Sequence, residues 1–369
     1  MTLHEEILGL IDQKQFRLAP EEKEARLCKI LGEQVRGHVA ALPAYARLVD
    51  RLGHGPGPYG RLEDVPWVHV SAFKSHELRS VPVDKIVRVV TSSATTSGTP
   101  SRIHVDKPTS FRQGKALAST LQDVLGTSRR PYLVLDAAES NAATASLSAR
   151  GAAIRGLLPF ASEVTYALDV DGSTLTPNED RIAAFFAKNG ARAPLLFGFT
   201  YIVWSVVLAK LAGPYGPAPD AMLLHSGGWK KLTEIAVSKD TFAEKAGRVF
   251  GMQPSHVLDF YGMAEQVGVV FVDCVAGNKH PPDFADVLLR DPLTLERVKP
   301  GQAGLIEVLS ALPESYPGQA LLTDDVGILV GEDGCSCGRR GRHFRIRSRV
   351  EKAEVRGCGD TFAQKRVVG

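Results

Sequence analysis

Residues 259–266 read Asp-Phe-Tyr-Gly-Met-Ala-Glu-Gln and follow an apolar start at Val257 and Leu258. An apolar, aromatic run that breaks at a glycine and then delivers a carboxylate has the pattern of a strand ending in a functional turn. The same pattern recurs upstream. Short apolar runs at 86–90, 131–135, 194–197 and 222–224 alternate with loops and with a helical stretch at 181–188. This alternation predicts an α/β fold with its site loops at strand ends.

The flanks extend that reading. Residues 3–52 carry helical periodicity, with Leu3, Ile7, Leu10 and Ile11, then Leu27, Ile30, Leu31 and Val35, on one side of charged faces. Residues 53–60, GHGPGPYG, contain a formal G-x-G-x-x-G. Prolines fill two of its variable positions and no strand precedes it, so a linker is expected rather than a dinucleotide site. Beyond residue 300, GLIEVLS and ALLTDDVGILV read as hairpin or barrel strands. The long apolar stretch 197–209 is expected to form a buried helix, being far short of the ~20 residues that cross a bilayer.

Composition narrows the classes. The chain has 369 residues, 44% hydrophobic and 23% charged, which suits a globular enzyme with an ample core. Lys and Arg exceed Asp and Glu by 44 to 41, so charge gives no reason to invoke nucleic acid or an anionic membrane. The first ten residues, MTLHEEILGL, lack the basic and apolar regions of a secretory signal. Five cysteines, two of them in Cys335-Ser-Cys337, fit a reducing cytoplasm with metal-binding or catalytic thiols. Cys28 lies on the apolar helical face and reads as core.

Four segments carry chemistry. TSSATTSGTPSR at 91–102 follows a strand and offers hydroxyls and backbone N–H groups of the kind that wrap phosphates, although an ordinary solvated loop has the same composition. It is not a Walker A loop: the nearest Gly-Lys, Gly114–Lys115, lies in a helical stretch. Glu265 in the opening segment can hold Mg²⁺ or sit on the surface. In LTDDVG at 322–327 a carboxylate can accept ribose hydroxyls or cap an acidic turn. In EVRGCGD at 354–360, Cys358 stands between two glycines, and Arg356 favours its thiolate. The alternative for Cys358 is an exposed, inert thiol.

Taken in order, these segments resemble the core motifs of the acyl-adenylate-forming superfamily. The resemblance narrows to the acyl-protein synthetase branch of the bacterial luciferase fatty-acid reductase complex (LuxE type). FKSHELRS at 73–80, the SSATTSG loop, HSGGWK at 225–230, YGMAEQ at 261–266 and RGCGD at 356–360 carry it. It implies an α/β adenylate-forming large domain of layered sheets and helices with a β-rich subdomain, and a shortened C-terminal segment. The corresponding boundaries are a helical section at 1–60, the adenylating domain at 61–348 and the C-terminal segment at 349–369.

The resemblance also implies roles. Ser92, Ser93, Thr95, Thr96, Ser97 and Gly98 would hold ATP phosphates, and Gly227 with Gly228 would border adenine. Tyr261 and Gly262 would line the junction of adenine and acyl group, Glu265 would carry Mg²⁺ and Asp325 would bind ribose. Arg349 matches the arginine before the mobile segment, with Glu351 or Lys352 as pivot, and Cys358 matches the acyl-accepting cysteine. Two departures stand out: Ala94 occupies a usual glycine position, and Ser101 or Arg102 replaces the usual lysine. Lys365 is the only late lysine available for adenylation. The implied reaction consumes ATP, a fatty acid and a protein thiol, and delivers the acyl group to a reductase of aldehyde-dehydrogenase type. An acyl-CoA ligase of the phenylacetate type and an inactive scaffold of a reductase complex are the alternatives.

Cys274 and His280, separated by five residues, with Cys335 and Cys337 make a Cys₃His set, a usual structural-zinc composition. The phenylacetate–CoA ligase branch, which shares the C-x-C-G-R run of residues 335–339, has members with zinc at matching positions. Four residues in ordinary turns would give the same pattern.

Overall fold

The computed structural model describes residues 2–53, 55–92, 100–141, 147–172, 174–229 and 236–349. Three helices open the chain: α1 (Leu3–Asp12), α2 (Pro20–Ala41) and α3 (Pro43–Arg51). A capping box between Thr2 and Glu5 starts α1, and prolines at the first helical position start the other two. The expected stripe Ile7, Leu10, Ile11, Leu27, Ile30, Leu31 and Val35 is fully buried.

That stripe packs on a mostly antiparallel five-stranded sheet made of β1 (Val68–His69), β12 (Ala285–Arg290), β13 (Ala303–Ser310), β14 (Ala320–Glu332) and β15 (Arg342–Arg349). The two segments read as hairpin strands, β13 and β14, do pair antiparallel, while β1 joins β14 in parallel. A three-stranded sheet follows the order β3 (Arg102–Asp106), β2 (Ile86–Thr91), β5 (Leu147–Ser148). Short α4 (Ala72–Ser75) precedes it in the chain, and α5 (Lys107–Leu125) leaves from β3 with Asp106 as its N-cap.

The largest sheet contains β4 (Arg130–Ala137), β6 (Ala161–Asp171), β7 (Thr174–Pro177), β8 (Leu195–Phe199), β9 (Met222–Ser226), β10 (Val257–Tyr261) and β11 (Phe271–Val272). Its order is β11-β10-β9-β8-β4-β6-β7. The five inner strands are parallel and both edge strands antiparallel. Crossovers run through α6 (Ala149–Gly156), α7 (Glu179–Asn189), α8 (Thr200–Ile202) and α9 (Lys239–Phe250). Strand alternation divides the core between two faces. Leu133, Leu135, Leu196 and Leu223 pack with Ile182, Phe186 and Phe250, whereas Tyr132, Val134, Phe197 and Leu224 pack with Leu121, Ile154 and Phe160.

One expectation is corrected. The apolar stretch 197–209 is not a single helix: β8 continues to Phe199, and α8 with a π-helical turn over Val203–Leu208 takes up the remainder. A central parallel strand is buried on both faces, so its composition runs into that of the buried helix after it. Among the described residues no helix is long and apolar enough to cross a membrane.

Candidate active site

Adjacent parallel strands β9 and β10 end side by side, with Ser226 opposite Phe260. The Gly227–Gly228 and Tyr261–Gly262 turns therefore leave neighbouring carboxyl ends, where ligands bind in open α/β sheets. Gly227 adopts φ +80°, and a Cβ there would lie 3.1 Å from the Phe199 ring. At Gly262 a Cβ would meet the Val269 carbonyl at 3.3 Å, so this turn is closely packed.

Tyr261 reaches across to the second sheet, where its hydroxyl donates to Asp325 Oδ2 at 2.8 Å. Two residues singled out from separate motifs thus meet. Asp325 is also the register partner of Arg349 on β15. Beside it, Asp324 lies 3.3 Å from His69 Nε2, a contact offered by β1.

Glu265 sits in a short 3-10 turn at Ala264–Gln266 and is largely buried. Its carbonyl accepts from the Tyr316 hydroxyl at 2.9 Å, and Gln266 Nε2 donates to the Gly318 and Val308 carbonyls. Burial pushes the Tyr316 phenol up, so it stays a donor. Tyr316 also accepts from Gln113 at 3.4 Å, and Gln113 accepts from Arg88 on β2 at 3.0 Å. This relay ties the Glu265 turn to the strand that leads into the hydroxyl-rich loop. At the base of that loop Ser92 N–H donates to the Ser101 carbonyl, and the Ser92 hydroxyl accepts from Ser101 N–H at 2.9 Å.

Beneath the two turns lies a buried charge network. Lys279 is fully buried and contacts Asp259 Oδ2 at 2.8 Å and Asp273 Oδ1 at 3.0 Å. Lys239 reaches the same two carboxylates from α9. His225, opposite Asp259 in the strand register, lies 3.8 Å from its carboxylate and 2.9 Å from the Thr200 hydroxyl. Burial pushes Asp259 up, but Lys279, His225 and Lys239 outweigh it and hold the carboxyl at about 2. For His225 burial wins over the attraction of Asp259, and the imidazole falls to about 4. It is neutral at pH 7.

The Cys/His set does converge. The ligand atoms of Cys274, His280, Cys335 and Cys337 all lie within 4.8 Å of one another. Cys274 Sγ is 3.9 Å from Cys335 Sγ, and Cys337 Sγ is 3.4 Å from His280 Nε2. A tetrahedral zinc with bonds of ~2.3 Å to sulfur and ~2.0 Å to nitrogen separates its donors by roughly 3.5–3.8 Å. Burial, with Arg339 and His343 nearby, lowers His280 to about 3 and leaves the ring neutral, as a metal ligand must be. The donor set fits zinc.

Of the other expected site residues, Ser93, Thr95, Thr96, Ser97 and Gly98 lie outside the described residues, as do Ala94, Glu351, Lys352, Arg356, Cys358 and Lys365. For Arg349 only the backbone is described. Sequence reasoning did not single out Gln113, Tyr316, Lys239, Asp273 or Lys279. Buried polar residues reveal their partners only once distant segments meet. The one available signal was lysine and aspartate in otherwise apolar surroundings at 269–279.

The fold, with turns at the ends of β9 and β10 facing an acidic turn on a second sheet, is the one seen in solved adenylate-forming ligases. It is similar to 2-hydroxyisobutyryl-CoA ligase in an open conformation with 2-HIB-AMP and CoA, at TM-score 0.64 and 17% identity over 91% of this chain and 71% of that one. The same enzyme with R3-HIB-AMP matches at TM-score 0.63 and 18% identity over 90% and 69%. Within that class the assignment is specific: the model of the family described as acyl-protein synthetase, LuxE, matches residues 3–367, and the chain belongs to this family. The long-chain-fatty-acid–luciferin-component ligase of Vibrio harveyi is 27% identical over 327 residues, 87% of this chain and 82% of that protein. The ligase of the same name from Aliivibrio fischeri is 26% identical over 108 residues, 29% of this chain and 28% of that protein.

Proposed function

We propose that this ATP-dependent ligase activates a long-chain fatty acid as its acyl-adenylate and passes the acyl group to its own Cys358. The observation that carries the reading is the Tyr261–Asp325 hydrogen bond. It joins the turn that would border adenine and the acyl group to the carboxylate that would bind ribose. Membership of the acyl-protein synthetase family supports the protein thiol as acceptor, and the name shared by the Vibrio and Aliivibrio relatives supports a long-chain acid.

In this reading the fatty carboxylate attacks the α-phosphorus of ATP, and pyrophosphate leaves with the electron pair of the broken P–O bond. Ser92 and residues 93–98 would bind the phosphates, Gly227 and Gly228 the adenine, and Asp325 the ribose, while Arg349 precedes the segment that carries the thiol. Glu265 would hold Mg²⁺, which neutralises phosphate charge. The Cys358 thiolate, favoured by Arg356, then attacks the acyl carbonyl and expels AMP, leaving a thioester. Cys274, His280, Cys335 and Cys337 would hold a structural zinc. An acyl reductase of aldehyde-dehydrogenase type is the proposed recipient.

The test is ATP–pyrophosphate exchange across a fatty-acid series, with thioester labelling from radiolabelled acid. Exchange that requires acid and Mg²⁺, with hydroxylamine-labile label on the protein, is the result expected. Acylation of free CoA without protein labelling would establish the CoA-ligase alternative. Absence of exchange with every medium- and long-chain acid would establish the scaffold.

A further inference from the structure

We propose that Lys279 is a positioning residue that clamps the end of β10 to the Cys/His hairpin, so that metal bound there also holds Tyr261 in place for ATP. The inference rests on the reading of Cys274, His280, Cys335 and Cys337 as metal ligands.

The geometry is that of a two-faced hairpin. Asp273 and Lys279 pair antiparallel, and each is followed in sequence by a proposed ligand, Cys274 and His280. Neighbouring residues in extended backbone project to opposite faces. One face of the hairpin gathers the sulfur and imidazole donors. The other carries Asp273 and Lys279 to β10. Lys279 is further fixed by two backbone hydrogen bonds with Phe344 of β15, at 2.9 and 3.0 Å.

The ammonium of Lys279 has three protons and three acceptors: the Asp259 carbonyl at 3.0 Å, the Asp259 carboxylate at 2.8 Å and Asp273 Oδ1 at 3.0 Å. Asp259 stands two residues before Tyr261 and opposite His225, which itself precedes Ser226 and the Gly227 turn. The clamp therefore grips β10 two residues below the Tyr261 turn, at the carboxylate that also lies 3.8 Å from His225 of β9. Buried ion pairs contribute little net stability, whereas removing a single partner is costly. A positioning role accounts for a complete set of acceptors around a lysine with no exposed surface.

The test uses the full chain with the double substitution Lys279→Met/Asp273→Asn, which removes one charge of each sign. Zinc content, melting temperature, and KM for ATP and for fatty acid in pyrophosphate exchange are measured. The double variant is expected to fold and keep its zinc, with KM for ATP raised about ten-fold and KM for the acid unchanged, since sub-ångström misplacement acts on the contact it aims. Stripping zinc from the wild type should raise KM for ATP by a similar factor, and stripping it from the double variant should add nothing further.

A folded double variant with wild-type KM for ATP overturns the clamp. Effects of stripping and substitution that multiply overturn the link between metal and clamp. Protein that never binds metal, yet shows the ATP effect of the double substitution, overturns the ligand reading and leaves Lys279 as the anchor of β10. Should the double variant fail to fold, Asp273→Asn alone leaves only a neutral amide oxygen in place of one of the two charged acceptors. It is expected to raise KM for ATP about two-fold, and an unchanged value overturns the clamp equally.

Discussion

The Tyr261 hydroxyl donates to Asp325 across the gap between the parallel sheet and the antiparallel one, at 2.8 Å. Sixty-four residues separate the two in sequence, and each belongs to a different motif. The bond holds the tyrosine ring at the place where the two sheets approach. A ribose bound there would be oriented by a carboxylate that is itself already oriented.

Tyr261→Phe removes only that donor and keeps the ring. Hydrogen bonds to a charged acceptor contribute about 1.5 kcal/mol or more. The substitution is therefore expected to raise KM for ATP in pyrophosphate exchange by about ten-fold, with little change in melting temperature. An unaltered KM for ATP would separate Asp325 from the nucleotide.

Glu265→Ala is expected to abolish most acid-dependent exchange at any Mg²⁺ concentration, while Glu265→Asp recovers part of it at high Mg²⁺. The carboxylate lies on a turn held by Tyr316 and Gln266 through backbone carbonyls, so the side chain can be removed without untying the turn. Exchange at the wild-type rate in the alanine variant would place the metal elsewhere.

Acid should destabilise the fold well above the carboxylate range. Burial lowers His38 to about 3 and His225 to about 4, against an ordinary value near 6.5. The folded protein thus resists protonation that the unfolded chain accepts. The stabilising contribution of each neutral imidazole is fully present above pH 6.5 and is lost as pH falls from there toward the folded value. For each histidine the loss between pH 7 and pH 5 is about 2 kcal/mol. Unfolding free energy measured by denaturant should fall over this window. His38→Asn should flatten the slope by about one proton, since the His38 ring is held by the neutral Ser80 hydroxyl and packs on the edge of Tyr45. A level profile between pH 7 and 5 would show that both imidazoles already protonate in the fold.

The fold was legible in the sequence wherever local pattern and tertiary burial agree. The stripe from Ile7 to Val35, the runs that became β2, β4, β8, β9 and β10, and the β13–β14 hairpin all follow from period and turn residues alone. The boundary at Phe199 was not legible, because the strand is buried on both faces and the apolar residues of the following helix continue its composition. Tyr261 and Asp325 were visible in motifs continuous in the chain, and the Cys/His positions as two short clusters, 274–280 and 335–337. The supporting shell was hidden for the opposite reason. Lys279 and Gln113 are ordinary polar residues until Asp259 and Tyr316 come to meet them.

Zinc analysis of protein purified without chelators should give close to one equivalent per chain. Cys335→Ser or Cys337→Ser should each remove most of it and lower the melting temperature, because binding energy at a structural site is folding energy. Cys28→Ser should keep the metal, as Cys28 lies in the apolar core of α2. Full zinc in Cys274→Ser would mean that the four donors do not act as one set.

The two half-reactions should separate at Cys358. In the proposed scheme adenylation draws on the turns around Tyr261, Glu265 and Asp325, whereas thioester formation needs a nucleophile in addition. A nucleophile that enters only in the second step leaves the first step intact when it is replaced. Cys358→Ser is therefore expected to retain acid-dependent pyrophosphate exchange within about two-fold, while hydroxylamine-labile labelling by radiolabelled fatty acid is lost. Arg356→Ala, which in the proposed scheme withdraws the guanidinium that favours the thiolate, should slow labelling and shift its pH profile upward, because a larger share of the cysteine is then protonated at neutral pH. Undiminished thioester labelling in the Cys358→Ser protein would move the acceptor to another thiol. Cys337→Ser would then identify whether the partly exposed member of the Cys/His set is that thiol.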